Sequence, residues 1–554
     1  MADRSPAMQA TSDHSLSLAL GDGIDTATHE RVRRAFLALQ AADLQGVTNL
    51  HPAYASLLVS FDPRHTDHHT LAAGVTRTLE RAERLELPPS RLVEIPVAYG
   101  GADGPDLEEV ARHSGLPPEE VVGRHSRADY LVHFLGFSPG FAYLGGLPPE
   151  LATPRLATPR PRVPAGSVAI GGAQTGVYPQ ATPGGWRLVG RTPLALFDPF
   201  RTPPTRLELG DRVKLHPLAA GIQIEAAAPS VGVPAAGGAR PLAEVLHPGL
   251  LSSVQDLGRP GLAHLGVGTG GAADPVSLRF ANLLVGNPQG LAAIEMTLRG
   301  CILRFVANAV VALTGAELRG HLDSRALPAW QPVAVRPGQV LELGAMHTGA
   351  RAYLSVRGGI AVPSALGSAS THIAAGFGGL GGRGLRGGDV LHTGHTPMTS
   401  HRRAHVLTAE QREALLAAGS LRVLPGAHAA RSGAGALAAL TSGTFTVSSR
   451  SDRAGVRLAG ESVAEATATL LTEGVPIGAV QIPPDGQPIV MLADHPTTGG
   501  YPQLATVIAA DLHRLGQLRP GQAVRFTLVE RPEASRALAE LEELLAAWSG
   551  GGWR

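Results

Sequence analysis

The 554-residue chain carries 47 basic and 46 acidic side chains, a net charge of +1 that gives no electrostatic footing for nucleic acid or an anionic membrane. Its single cysteine, Cys301, excludes an intrachain disulfide and any multi-cysteine metal site, and no run reaches the ~18 apolar residues of a membrane span. With 69 Gly, 44 Pro, 44% hydrophobic and 17% charged residues, the composition predicts several domains, mainly β, built of short strands and turns.

Residues 1–14 are polar, lack the apolar core of a secretory signal and are expected to be a disordered tail on a cytoplasmic protein. Residues 15–100 alternate strand and helix patterns in the order β, α, β, β, α, β, a split βαβ arrangement that predicts a ferredoxin-like α+β domain. In its second helix Leu71, Val75, Leu79 and Ala82 share one face behind a Thr66 or Asp67 cap.

Residues 101–220 open with two short helical patterns and continue as short strands broken by proline and glycine, the expected place of a β-barrel. Residues 221–243, rich in Ala, Gly and Pro with almost no charge, predict a linker. A barrel is expected over 244–400, with a helix from Pro275 capped by Asp274. Within it, residues 376–388 hold eight glycines in thirteen positions, too many for regular structure. A second barrel over 401–530 and a terminal helix over 531–554 complete the chain.

A short repeat links the halves. Pro164-x-Gly166-x-Val168-x-Ile170 and Pro476-x-Gly478-x-Val480-x-Ile482 match in spacing, and each precedes a Gly-Gly-aromatic triplet, Gly184-Gly185-Trp186 and Gly499-Gly500-Tyr501. Two elements in the same order predict related barrels.

The chemistry-bearing candidates cluster in a few segments. Tyr143 offers a polar handle in a glycine-bounded aromatic loop, and Gly166, Gln174 and Tyr178 follow it. Arg155, Arg160 and Arg162 in a proline-punctuated run suit a carboxylate or phosphate. His125 is a candidate proton carrier. Asp256 and Arg259 form a charged turn; Asp274 reads first as a helix cap; Asn282 follows on that helix; and Glu295 is a nearby acid free of a capping role. Asp494, Thr497, Thr498, Gly499, Gly500 and Tyr501 supply hydroxyls and glycine amides for an anion or amide nest. Lys214 is the only lysine and sits outside any P-loop or biotin-carrier frame, so phosphates would fall to arginines or to a partner chain. No metal-ligand spacing is present.

The landmarks Gly136-Phe137-Ser138-Pro139-Gly140-Phe141-Ala142-Tyr143, Val163 to Ile170, Gly184-Gly185-Trp186 and Gly190-Arg191-Thr192-Pro193 resemble the first member of a two-subunit family. That family comprises the two allophanate hydrolase subunits, the B and C subunits of 5-oxoprolinase and the carboxyltransferase domain of urea carboxylase. Val254 to Gly261, Gly270 to Asp274, Ala281 to Asn287, Ser451-Asp452-Arg453 and Asp494 to Pro502 resemble the second member, so the chain resembles a fusion of both. The resemblance implies cyclophilin-like barrels in both halves and a site between them where a small amide sits among backbone amides, arginines and carboxylates, with Gly270 to Asp274 at the site and the 494–501 loop, Asp494 and Thr498 included, polarising the carbonyl. It further implies an ATP-dependent 5-oxoprolinase that needs a separate A-type subunit. A biotin-dependent carboxyltransferase acting on urea and a non-enzymatic kinase inhibitor are the alternatives, and homo-oligomerisation is compatible with each. Gly270 stands where relatives commonly carry Ser.

Overall fold

The computed structural model describes residues 6–82, 85–218, 238–394, 407–417, 419–433, 435–463 and 470–548. Its N-terminal module is an antiparallel sheet in the order Ala7–Ala10, Ser15–Ala19, Ser56–Phe61, Val47–Pro52, packed on the helices Thr26–Ala42 and His68–Ala82. Leu18, Phe36, Leu57, Val59, Leu71 and Val75 fill the space between. Asp25 caps the first helix and Asp67 receives the Thr70 amide at the start of the second.

Two features depart from the expected ferredoxin-like domain. Residues 7–10, expected in a tail, are the edge strand, pinned by the Thr11–Ser15 hydroxyl contact at 2.7 Å and by Met8 against the core. They occupy the place beside Ser15–Ala19 that the last strand of a split βαβ unit would take. That last strand, Leu92–Tyr99, instead enters the next module, where Ile95 and Val97 are fully buried.

There it belongs to a closed seven-stranded barrel whose circuit runs Leu92–Tyr99, Arg187–Arg191, Ser167–Gly171, Gln174–Val177, Ala142–Gly145, Tyr130–Leu135, Arg212–Pro217. A second closed barrel runs Ser420–Pro425, Gln503–Val507, Ala479–Gln481, Ile489–Met491, Gly455–Ala459, Phe445–Val447, Ala523–Leu528. Strand by strand, the two circuits have the same order along the chain. Both are closed by a parallel pairing of first strand with last, and both carry a two-stranded side ribbon: Arg160–Val163 with Thr182–Gly184, and Glu473–Gly474 with Thr498–Gly499. The repeated Pro-x-Gly turns lead into equivalent strands.

Between the barrels, residues 240–393 form a nine-stranded sheet that stays open, contrary to the barrel expected over 244–400. Its path ends at Leu251–Gln255, where loop amides replace a neighbouring strand: Thr371 donates to the Val254 carbonyl at 2.9 Å and Leu385 to Ser252 at 2.8 Å. The glycine-rich segment 376–388 contributes no strand to the sheet. The helix Pro275–Leu284, capped by Asp274, packs across the long strands Ala309–Leu322 and Val340–Val356. Of the connector expected over 221–243, residues 221–237 lie outside the described residues, and Arg240–His247 is a strand of the open sheet.

The modules are knit together at polar joints. Asn49 Oδ1 accepts the amides of Gly261 and Ala263 at 2.9 and 3.2 Å, Asp13 accepts that of Ala509, and Thr506 donates to the Thr11 carbonyl. Glu542 of the helix Arg531–Trp548 is held bidentately by Arg279. No helix among the described residues is long and apolar enough to cross a membrane.

Candidate functional site

The loop between the strands Tyr130–Leu135 and Ala142–Gly145 is a point of close approach between the two halves. Phe137, held at φ 64°, directs its amide to Thr498 Oγ1 at 3.1 Å. A Cβ on Gly136 would stand 2.2 Å from the same oxygen, so only glycine admits Thr498 there. Alongside, Leu135 bridges to Leu265, and the Gly140 amide donates to the Leu265 carbonyl at 2.8 Å.

Beside this approach lies a buried cluster of aromatic side chains, the candidate chamber. Tyr143 stacks on Phe134 at 4.4 Å and meets Tyr54, Phe141 and Trp186 edge-on, while Arg155 lies 5.7 Å over the Trp186 ring. Burial pushes the Tyr143 hydroxyl up to about 12, against the opposing pull of Arg155 and of its hydrogen bond with Thr498. Tyr178 is likewise raised to about 12 and Tyr54 well above its ordinary value, both chiefly by burial and both sensing Tyr143 and Arg155. Three phenols that sense one another and one guanidinium therefore converge, and all three remain protonated donors. Tyr54 Oη in this cluster is buried without a partner among the described residues, as are Thr497 Oγ1 and Gln481 Nε2 in the C-like half.

Behind the chamber, Arg453 is the hub of a buried ionic network. Its guanidinium contacts Glu295 Oε1, donates to Asp494 Oδ2 at 2.8 Å and reaches the Gly271 carbonyl at 2.6 Å. Glu295 Oε2 takes the Ala273 amide at 2.8 Å and the Tyr353 hydroxyl at 2.7 Å. Asp274, besides capping its helix, accepts Gln517 Nε2 at 2.7 Å. Burial opposes charge on both Arg453 and Asp494, but their mutual attraction outweighs it, holding Arg453 firmly protonated and Asp494 below its ordinary range.

Other expected site residues have structural employment. His125 is fully buried, with Nδ1 on Tyr99 Oη at 2.8 Å and Nε2 on Thr175 Oγ1 at 2.9 Å, so neither nitrogen is left to carry a proton for a substrate. Glu295, expected to be catalytic, is fully engaged in the ionic network. Arg160 pairs with Asp106 at 2.7 Å and reaches the Trp186 carbonyl at 3.4 Å, so Arg155 is the guanidinium there without a carboxylate partner among the described residues. Asp256 accepts from Gly258, Ser368, Ala369 and Ser370, as a turn anchor does. Asn282 ties down the Gln289 and Leu291 carbonyls. Gln174 keeps a buried Oε1 without a partner among the described residues, and Gly166 lies at a separate cavity. Gly499 packs on Gln481, the Gly500 carbonyl accepts the Leu470 amide, and Tyr501 is exposed. Arg259 is buried over Phe377 at 4.9 Å, with Nε and Nη1 unpartnered among the described residues. Sequence reasoning passed over Tyr54 and Gln481 and gave Arg453 no role beyond a landmark of the family resemblance; an aromatic in a turn, in a chain with 4% aromatics, was the available signal for the first.

Family models agree with this division of the chain. The carboxyltransferase domain, subdomain C and D, matches residues 6–207, and the carboxyltransferase domain, subdomain A and B, matches residues 265–528. The B subunit of 5-oxoprolinase from Escherichia coli O157:H7 is 49% identical over 207 residues, covering 37% of this chain and 93% of that protein. The C subunit of 5-oxoprolinase from Escherichia coli K12 is 38% identical over 295 residues, covering 53% of this chain and 93% of that protein. The chain belongs to the family of the 5-oxoprolinase B and C subunits. It carries the B-like part first and the C-like part second, fused. A solved structure, TTHA0988, superposes with a TM-score of 0.82 at 37% identity, over 93% of this chain and 99% of that one, so it shares the fused architecture. Urea amidolyase of Saccharomyces cerevisiae is 32% identical over 320 residues, 54% of this chain but 17% of that protein.

Replacing Arg453 with Met strands two buried carboxylates and should cost about 3–5 kcal/mol of stability, read as a lower denaturation midpoint or loss of soluble protein. Adding Glu295→Gln and Asp494→Asn should recover part of it; an unchanged midpoint for Arg453→Met contradicts the hub. A second expectation concerns acid. Burial lowers His29, His51 and His125 to about 3 and His133 and His264 to about 4, from 6.5. Folded values below unfolded ones mean that this stability is complete above pH 6.5 and is lost as pH falls, by up to about 1.4 kcal/mol per pH unit for each group. The denaturation midpoint should therefore drop between pH 7 and 5, and a flat profile would contradict the assignment.

Proposed function

We propose that the chain is the B-plus-C component of an ATP-dependent 5-oxoprolinase, opening the 5-oxoproline lactam to glutamate together with a separate A-type subunit. The observation that carries this reading is the Thr498 contact, which places a residue of the C-like half against Phe137 and Tyr143 of the B-like half, so that the halves share one chamber. Tyr54, Tyr143 and Tyr178 are neutral donors suited to a lactam carbonyl, whose oxygen gains negative charge as the ring opens. Arg155 provides the cation for the substrate carboxylate or a phosphoryl oxygen. The unpartnered Thr497 Oγ1 can accept the lactam N–H. ATP would supply the activation that an amide lacks: phosphorylation of the lactam oxygen releases ADP, water adds to the activated carbon, the ring C–N bond breaks with a proton going to nitrogen, and hydrolysis of the resulting acyl phosphate releases phosphate and glutamate. Thr498 is a positioning residue: its hydroxyl fixes the Phe137 amide and the Tyr143 ring.

A biotin-dependent carboxyltransferase acting on urea is the second reading, favoured by the likeness to urea amidolyase. The carrier would then be a different chain, since Lys214 Nζ is bound to the Arg127 and Ala128 carbonyls beside the first barrel.

Purified chain plus the A-type subunit should form glutamate and ADP from 5-oxoproline; no turnover removes the first reading. Thr498→Ala should lower kcat/KM about tenfold or more while Thr498→Ser retains most of it, and Arg155→Ala should raise KM, with circular dichroism showing the fold retained in each. Wild-type kinetics in Thr498→Ala and Arg155→Ala would contradict the chamber as the reacting site.

A further inference from the structure

A second cavity, of about 560 Å³, opens between the halves where first-barrel turns at residues 164–166 and 179–181 face the glycine-rich segment. It shares no lining residue with the chamber of Tyr143, Arg155, Trp186 and Thr498. Its size suits a ligand of metabolite dimensions.

The lining holds two kinds of chemistry. One is anion-seeking. Arg162 is exposed and has no partner among the described residues, whereas neighbouring Arg191 is engaged by the Ala165 carbonyl at 2.9 Å and by Asp103 at 3.7 Å. Gly376, Gly378, Gly379, Gly381 and Gly382 all have positive φ, the backbone geometry from which amide nests are made. The amides of Gly378 and Gly381 have no hydrogen-bond acceptor among the described residues. Asp198, the one acid of the lining, has its Oδ1 occupied by the Phe200 amide at 2.9 Å. The other kind suits a flat ring. Phe197 and Phe377 stand 5.5 Å apart at 53°, Phe200 is 49% exposed at the rim, and Gln180 Oε1 is buried with no donor among the described residues. An inorganic anion would leave the rings and Gln180 unused, and an apolar molecule would leave Arg162 and the amides unused.

We propose that this cavity is a nucleoside phosphate site, with the phosphates on Arg162 and the glycine amides, the base among the phenylalanines and a base N–H donated to Gln180 Oε1. The glycine loop serves because a side chain is barred there: a Cβ on Gly378 would stand 2.1 Å from the Ser370 carbonyl oxygen, and one on Gly379 1.9 Å from Thr371 Oγ1. The site stands apart from the lactam reading, since it concerns binding by this chain alone.

The test is calorimetric titration of the purified full-length chain, without any partner subunit, with ATP, ADP, AMP, adenosine and pyrophosphate. One class of site should appear for the nucleoside phosphates, with adenosine and pyrophosphate each about tenfold weaker or more. Arg162→Ala should weaken ATP about tenfold, and Ala375→Trp, which fills the cavity, should abolish binding while circular dichroism and melting stay as in the wild type. No nucleotide binding at millimolar concentration, pyrophosphate binding as tightly as ATP, or affinities unmoved by both substitutions would overturn the proposal. Nucleotide binding without 5-oxoproline turnover in the presence of the A-type subunit would instead remove the lactam reading and leave this site standing.

Discussion

Arg453 holds the open sheet and the second barrel of the C-like half in register. Two carboxylates from different modules, Glu295 of the open sheet and Asp494 of the second barrel, share one buried guanidinium that also holds the Gly271 carbonyl. Removing it would leave both carboxylates buried without this partner, and the desolvation of three ions is tolerable only while all three are present. The loop that starts at Asp494 delivers Thr498 four residues later. Its direction is therefore set by the ionic hub, and the chamber's closure against Gly136 follows from that direction.

The matched barrels explain why one segment of the C-like half touches both. The loop 448–454, which carries Arg453, follows the same strand of its circuit as the loop 136–141 does in the first barrel. Residues 261–271 run between these equivalent loops: Leu265 pairs with the first, and Gly271 binds Arg453 in the second. The two-stranded side ribbons are equivalent too. That of the first barrel leads to Trp186, and that of the second presents Thr498, so the chamber is walled by the same device used twice.

Much of this was legible in residues. The Pro-x-Gly repeat marked equivalent strands, Asp274-Pro275 marked a helix start, and the aromatics between 134 and 186 marked the chamber. The illegible parts share a physical cause: partner choice across long sequence separation. Nothing local in residues 92–99 says whether two buried β-branched residues will face a sheet or a barrel, nor that residues 7–10 will take the vacant edge. His125 drew attention as an isolated histidine, yet Tyr99 and Thr175, distant along the chain, absorb both its nitrogens. Glu295 seemed free of a role because its cation lies 158 residues away. The open sheet between the barrels was misread because strand count does not reveal that loop amides, instead of a strand, cover the Leu251–Gln255 edge.

Both halves build one chamber through the contact of Thr498 with Tyr143 and Phe137. A double-mutant cycle on the full chain, with Tyr143→Phe, Thr498→Val and their combination followed by chemical denaturation, reads that contact as an energy. A shared chamber requires a coupling of about 0.5–1.5 kcal/mol between the two sites. Additive effects, with no coupling beyond error, would contradict it.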